Sequence, residues 1–376
     1  MTAEILLRML AVLAMVVPAL HPLSPSAIAV APAASAAPLA AAPLAAAPLA
    51  AAPLAAASVP ATPAVVAVVA LVAAMGSRGS KVAIIQRVVH TSSEGIYGPT
   101  TASAVKMWQR SHGLAATGVV DSLTWSKINA AWARIPAVGN DISWPQCPKG
   151  MGVAGHRTFG LPMPTAAAQF VVIGLTNGAG YAVNPCLASQ VAWAKAHHVH
   201  TAAYAITTFP SIRQLAAHGL RGPYTGAGLA SRLANTGFVQ ARFNVTSMGR
   251  AGMASPMVWV DVEPAGTALW TKNVVANKAV VDGALHGYRT AGFKVGIYSF
   301  QKGYREILGA THYRLPEWRT AGPSPQREAR GRCAASYALQ GGPAVLAQWW
   351  TTDVDHNMTC PSSNTPAVLS AYFHKY

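Results

Sequence analysis

Met257-Val258-Trp259-Val260-Asp261-Val262-Glu263-Pro264 is the stretch on which the fold is decided. Its first four residues are apolar and favour β structure, the composition of a strand buried on both faces. Two acids then follow, two positions apart. On an extended chain such residues point to the same side, about 7 Å apart at roughly 3.3 Å per residue. Packing does not favour a carboxylate pair at the end of a buried strand, because burying ionised groups is costly unless they are compensated. The pair therefore marks a candidate site.

The same apolar, β-rich pattern recurs on either side, at Val138–Ser143, Phe170–Leu175, Thr201–Ile206, Lys294–Ser299 and Val345–Trp350. Helical patterns lie between, including Leu187–His197, Leu229–Phe243 and Asn273–Ala291. Strands alternating with helices predict a parallel sheet covered by helices. Over residues 136–376 the length fits an α/β fold of the TIM-like (β/α) barrel type, with an open α/β sheet as the alternative. In such barrels chemistry sits at the C-terminal ends of the strands. Asp141 ends the first run, and Asp353 and Asp355 follow the last. Closure of a barrel would gather these ends with Asp261 and Glu263 around one mouth, which makes Glu263, Asp261, Asp141 and Asp355 the candidate catalytic residues. Trp144, Tyr181, Tyr204, Trp259, Tyr298, Trp349 and Trp350 crowd the same ends, offering faces on which sugar rings stack.

Upstream, residues 76–132 carry three short helical patterns punctuated by Gly95-Ile96-Tyr97-Gly98-Pro99 and Thr117-Gly118, a small three-helix module. Before it, residues 37–75 contain the repeat Ala-Ala-Pro-Leu-Ala with Pro38, Pro43, Pro48 and Pro53, read as a low-complexity linker. Residues 1–36 hold a short apolar run, Met9 to Leu20, behind Arg8, with Ala34-Ser35-Ala36 as a cleavage site; this reads as a signal peptide and is too short for a stable membrane span. Four cysteines, none in a C-x-x-C pair, favour two disulfides in an exported protein, with Cys147–Cys186 and Cys333–Cys360 preferred because each joins neighbouring segments. His197-His198-Val199-His200 has no nearby carboxylate and reads as a solvated cluster, so neither metal nor other cofactor is expected.

The chain has 28 Lys and Arg against 12 Asp and Glu, a formal charge of +16, and 52% hydrophobic residues, which excludes a highly charged disordered protein. The excess is spread over the module and the barrel region and is not a basic tail. It suits a polyanionic partner. No nucleic-acid-binding motif accompanies it, so nucleic acid is not expected; an anionic polymer of a cell wall accounts for the charge equally well.

Gly79-Ser80-Lys81-Val82, Gln86, Glu94-Gly95-Ile96-Tyr97-Gly98-Pro99-Thr100-Thr101, Trp108-Gln109, Gly113-Leu114, Thr117-Gly118-Val119-Val120-Asp121 and Thr124-Trp125 resemble the peptidoglycan-binding domain 1 family. Asp141-Ile142-Ser143-Trp144-Pro145-Gln146, Phe170-Val171-Val172-Ile173-Gly174, Asp261-Val262-Glu263, Val295-Gly296-Ile297-Tyr298-Ser299, and Gln348-Trp349-Trp350 with Val354-Asp355-His356-Asn357, resemble glycoside hydrolase family 25, lysozyme-like muramidases with a (β/α) barrel. The resemblance is closer to a divergent glycoside-hydrolase-like bacterial branch sharing Asn184-Pro185-Cys186-Leu187. It implies a secreted, wall-associated enzyme that cleaves peptidoglycan. Glu263 would be general acid, Asp261 would orient or stabilise charge, and Asp141 and Asp355 would line the cleft. Trp144, Tyr181, Tyr204, Tyr298, Gln348, Trp349 and Trp350 would contact substrate. Two positions depart from the family: Thr176-Asn177-Gly178 stands where an acid is usual, and Tyr204-Ala205-Ile206 replaces an aromatic-His-aromatic end. The alternative is a catalytically inactive protein that binds peptidoglycan or an anionic wall polymer.

Overall fold

The structure is a computed structural model that describes residues 69–264, 270–361 and 363–376. The expected signal peptide and the linker up to residue 68 lie outside the described residues. Leu71–Ala73, assigned by sequence to the linker, instead form strand β1, which pairs antiparallel with β2 (Val120–Asp121). Ala73 is buried in the module core, so the module starts earlier than its glycines suggest.

Helices α1 (Ser80–Val88), α2 (Pro99–Ser111) and α3 (Ser122–Trp132) surround a core containing Val82, Ile85, Tyr97, Val105, Val120 and Ile128. Two buried glutamines fasten its turns. Gln86 donates to the Ile96 carbonyl and accepts from the Gly95 amide; Gln109 does the same with Val119 and Gly118. A buried amide with both ends bonded is the inexpensive way to hold turn backbone away from water.

The larger unit is a closed barrel of eight strands in the order β7-β4-β3-β12-β11-β10-β9-β8, with β8 returning to β7. The strands are β3 (Val138–Ile142), β4 (Phe170–Gly174), β7 (His200–Ile206), β8 (Met257–Asp261), β9 (Lys294–Ser299), β10 (Glu317–Pro323), β11 (Ala344–Trp350) and β12 (Asp355–Thr359). Two of them, β10 and β12, were not expected. Nor is the sheet wholly parallel: β12 runs antiparallel to both neighbours, β11 and β3, while the other ladders are parallel. A short return from β11 leaves no room for a crossover helix, and antiparallel pairing is what a hairpin produces. Between β4 and β7 lie the hairpin β5 (Thr176–Asn177) and β6 (Ala179–Val183), then α4 (Leu187–Ala196). Helices α5 (Ile212–His218), α6 (Leu229–Arg250), α7 (Val274–Thr290), α8 (Gln301–Leu308), α9 (Gln326–Arg332) and α10 (Thr365–Tyr372) follow in order. A last strand, β13 (His374–Lys375), pairs with the start of β7. No helix among the described residues is long and apolar enough to cross a membrane.

Alternation along each strand sorts the side chains. Val171, Ile173, Ala203, Ala205, Val258, Val260 and Ile297 pack outward beneath the helices, with Val191, Val281 and Leu285. Phe170, Val172, Met257, Trp259, Trp318 and Leu346 fill the interior. Trp318 of β10 meets Tyr204 of β7 at 5.7 Å between ring centroids, a contact between non-adjacent strands that is made across the lumen. Both expected disulfides are present, Cys147–Cys186 and Cys333–Cys360, each with Cα atoms 5.5 Å apart.

The module joins the foot of the barrel. Its last helix is separated from β3 by residues 133–137 only, and these are tied down. Thr365 donates its amide to the Ala133 carbonyl, and Ala137 exchanges bonds with the hydroxyl and amide of Thr359. The parallel strands therefore carry their C-terminal ends, and antiparallel β12 its N-terminal start, to the side away from the module, and the acids lie there.

One fastening on the outside of β10 is polar. Glu317 and Arg319 are both buried, with Arg319 Nε donating to Glu317 Oε2 at 2.7 Å. Glu317 also accepts from the amides of Leu339, Gln340 and Gly342, and Arg319 donates to the carbonyls of Arg332 and Ala334. Removing one partner of such a pair strands the other charge. Arg319→Met is expected to lower stability by about 3–5 kcal/mol in urea denaturation; a loss below about 1 kcal/mol would show that the pair fastens nothing.

Candidate active site

Strand parity determines what the mouth contains. On β8, Met257, Trp259 and Asp261 share the inward side, and Glu263 continues it just beyond the strand. Trp259 lies at depth, fully buried. It is a core residue and not a ligand platform. Asp261 is 2% exposed, and its Oδ1 is buried with no hydrogen-bond partner among the described residues. Glu263 is partly exposed, so the upper acid reaches solvent and the lower one faces the lumen.

A chain of side chains from five strands crosses the barrel beneath the mouth. Tyr298 Oη (β9) donates to Gln348 Oε1 (β11) at 2.7 Å, and Gln348 Nε2 donates to Asp141 Oδ1 (β3) at 2.9 Å. The same oxygen accepts from Asn357 Nδ2 (β12) at 2.6 Å, and Asn357 Oδ1 accepts from Trp318 Nε1 (β10) at 2.7 Å. Every polar end in this chain finds a partner of the right sense, which fixes both amide orientations and holds Asp141 in place. Trp318 was not among the sequence candidates. Its strand, Glu317-Trp318-Arg319-Thr320, carries charge at alternate positions and does not read as a barrel strand, although its inward positions, Trp318 and Thr320, fit one.

The four expected acids come together here. Burial pushes the Asp141 carboxyl up to about 8, reinforced by the negative charge of Asp355 and opposed by the Gln348 and Asn357 donors. Asp261 is raised well above the ordinary carboxylate range, first by burial and then by Glu263 and Asp141. Glu263 is pushed up to about 7 by burial and then by Asp355. Asp355 sits at the start of β12, in register with Asp141 on one side and Trp350 on the other. Tyr204 and Tyr298 belong to the same cluster, since the charges of Asp141 and Asp261 raise both phenols further after burial.

The remaining sequence candidates divide by position. Gln348 is in the site as described, and Trp350 lies on the same side of β11 at the rim, beside Gly322. Trp349 points outward: it stacks on His356 at 5.2 Å and packs with Ala329 and Met358 under α9, so the expectation that it contacts substrate does not hold. The flip follows from alternation, because Gln348 and Trp349 cannot both face the lumen. Tyr181 is also elsewhere. Its hydroxyl donates to the Thr236 carbonyl and its ring stacks on His218 at 4.7 Å, so it fixes the β5–β6 hairpin to the helices. Trp144 packs against His156 and Phe159 in the loop after β3. Asn177, where an acid was the usual expectation, is fully buried and uses both ends of its amide on that loop, accepting from Val153 and donating to the His156 carbonyl.

Comparison with known proteins follows this division of the chain. Residues 85–128 match the family model described as a putative peptidoglycan binding domain. The chain is similar to the solved structure of the catalytic domain of endolysin ply40 from bacteriophage P40 of Listeria monocytogenes, with 15% identity over 62% of this chain and 98% of that one and a TM-score of 0.39. It is similar also to GHIP, a glycosyl hydrolase 25 of Streptococcus pneumoniae (13% identity, 66% and 97% covered, TM-score 0.41), and to a family GH25 lysozyme from Aspergillus fumigatus (15%, 60% and 93%, TM-score 0.36). No curated protein matches the chain by sequence. The chain thus joins a module that matches a peptidoglycan-binding model over residues 85–128 to a closed eight-stranded α/β barrel.

The crowded carboxyls make stability depend on pH in a definite sense. Their proton affinities are higher folded than unfolded, so the folded state binds more protons between pH 4 and 8. Their contribution is fully present below the ordinary carboxylate range near pH 4 and is lost as pH rises through about 7 to 8. Thermal melting of the protein is therefore expected at higher temperature at pH 5 than at pH 8, and Asp261→Asn should shrink that difference. Melting that is independent of pH over this range would contradict the crowding.

Proposed function

We propose that the barrel is a glycoside hydrolase that cleaves the glycan strand of peptidoglycan at the N-acetylmuramyl–N-acetylglucosamine linkage, and that the helical module holds the protein on the wall. The observation that carries this reading is the grouping of Asp141, Asp261, Glu263 and Asp355 at one end of a barrel whose lumen is otherwise filled, with Glu263 and Asp355 partly exposed. Glycoside cleavage requires one carboxyl that keeps its proton at the leaving oxygen and negative charge near the anomeric carbon. Glu263 has partial access to solvent and a proton affinity raised to about 7, which suits the first role near neutral pH. It donates its proton to the glycosidic oxygen as the C1–O bond breaks. The positive charge that develops on the sugar is met by carboxylate, from Asp355 or through the substrate's own acetamido oxygen steadied by Asp261. Asp141, clamped by two amides, sets the floor of the cleft, and Tyr204, Tyr298 and Trp350 give it aromatic sides. The two disulfides support an exported, wall-associated protein, since such bonds persist in oxidising compartments.

A binding protein without catalysis is favoured by one observation. Asn177 replaces an expected acid and is wholly occupied with holding a loop.

Glu263→Gln separates the readings. Under the hydrolase reading it reduces release of reducing sugar from purified peptidoglycan by about 10²–10⁴-fold, the usual contribution of a general acid, while pull-down on the same material is unchanged. Mass spectrometry of the released muropeptides should show new reducing ends at N-acetylmuramic acid. If the unsubstituted protein releases none, the binding reading stands. The rate is also expected to fall above about pH 7, where Glu263 loses its proton; a rate still rising at pH 9 would rule out Glu263 as the acid.

A further inference from the structure

A cleft of about 500 Å³ lies between the helical module and the foot of the barrel, at the end opposite the carboxyl groups. Its walls carry Arg87 and Trp132 from the module and His200, Lys375 and Leu369 from the barrel, and no Asp or Glu among the described residues lines it. His200 and Lys375 stand directly opposite each other in the antiparallel β7–β13 pair. Residues so placed have Cβ atoms about 5 Å apart. Burial holds the His200 imidazole below its ordinary proton affinity, a backbone hydrogen bond at Gln169 opposes this and Lys375 adds to it, so Lys375 is the charged member of the pair. On the other wall the Arg87 guanidinium lies over the Trp132 ring, 5.7 Å from its centroid. The short linker bonded to Thr359 and Thr365 keeps the two walls facing each other.

We propose that this cleft is a second, non-catalytic site that binds an anionic wall polymer built of phosphodiester-linked polyol units. A phosphate sits between Arg87 and Lys375, cations that no acid among the described lining residues balances, with the neutral His200 imidazole free to donate or accept beside it, and Arg presents the fork that suits phosphate oxygens. The carbon chain between phosphates lies against Trp132 and Leu369. A flexible single chain enters such a recess, whereas a nucleic-acid duplex is too thick and a membrane surface too flat. The formal charge of +16, carried by both the module and the barrel, draws the polymer in. This site rests on the reading of the protein as wall-directed, but not on the barrel being catalytic.

Isothermal titration of the full chain with purified poly(glycerol phosphate) tests the proposal. The double variant Arg87→Ala, Lys375→Ala is expected to lose about tenfold or more in affinity, with its melting temperature, its binding to phosphate-free peptidoglycan and its glycan hydrolysis unchanged. Lys375→Glu, a change on an exposed side chain, should weaken the polymer at least as much as Lys375→Ala and provides a second measurement should the double variant fold poorly. Unaltered polymer affinity in the variants overturns the proposal. So does an equal loss towards a DNA oligonucleotide or phosphatidylglycerol vesicles, which would make the cleft a general polyanion patch. A protein that binds polymer in this cleft yet releases no muropeptides would refute the hydrolase reading alone.

Discussion

Carboxyl groups within reach of one another in a lumen that excludes most water cannot all carry charge, and this repulsion is what the upper half of the barrel is arranged around. Asp141 is steadied by two amide donors, Asp261 keeps a buried oxygen without a partner among the described residues, and Glu263 is placed where it meets both protein and solvent. The environments differ, so the proton affinities separate, and separation is what lets neighbouring acids take different parts in one reaction. The lower lumen supplies the rigidity this needs. Trp259 and Trp318, set against Tyr204 and Tyr298, leave the acids no room to turn away from each other.

The end of β8 was legible in the sequence because it breaks a rule of burial: an unbroken apolar run leads straight into two acids with the same parity. The end of β3 and the acid that follows β11, Asp355, could be added because barrel closure gathers strand termini regardless of their separation along the chain. Strand β10 was not legible, since Glu317 and Arg319 compensate each other locally and give the segment the look of a surface loop. Strand β12, Asp355-His356-Asn357-Met358-Thr359, is almost wholly polar for a related reason: its inward positions serve the hydrogen-bond chain and not the apolar core. The aromatic residues were the least readable. Trp349 and Trp350 differ by one position and face opposite sides of the sheet, and Tyr181 has its hydroxyl and ring engaged in fixing a hairpin. Aromatic residues serve core and surface alike, whereas an acid at a buried strand end has few structural reasons to be there.

The glutamines of the module illustrate how polar residues in a short motif serve the backbone first. Gln86 and Gln109 are spent on turns, and so is Asn177 in the barrel, where the motif would have placed a reacting group. Residues of this kind preserve the outline of a family resemblance while saying little about chemistry. The acids at the mouth are the reverse, being costly to the fold.

The attachment of the module at the foot of the barrel has a geometric consequence. Strands of five to seven residues span roughly 20 Å, so the foot where the module attaches and the acids lie at opposite ends of the barrel. On the proposed reading, mooring and cutting are therefore assigned to opposite ends of the protein.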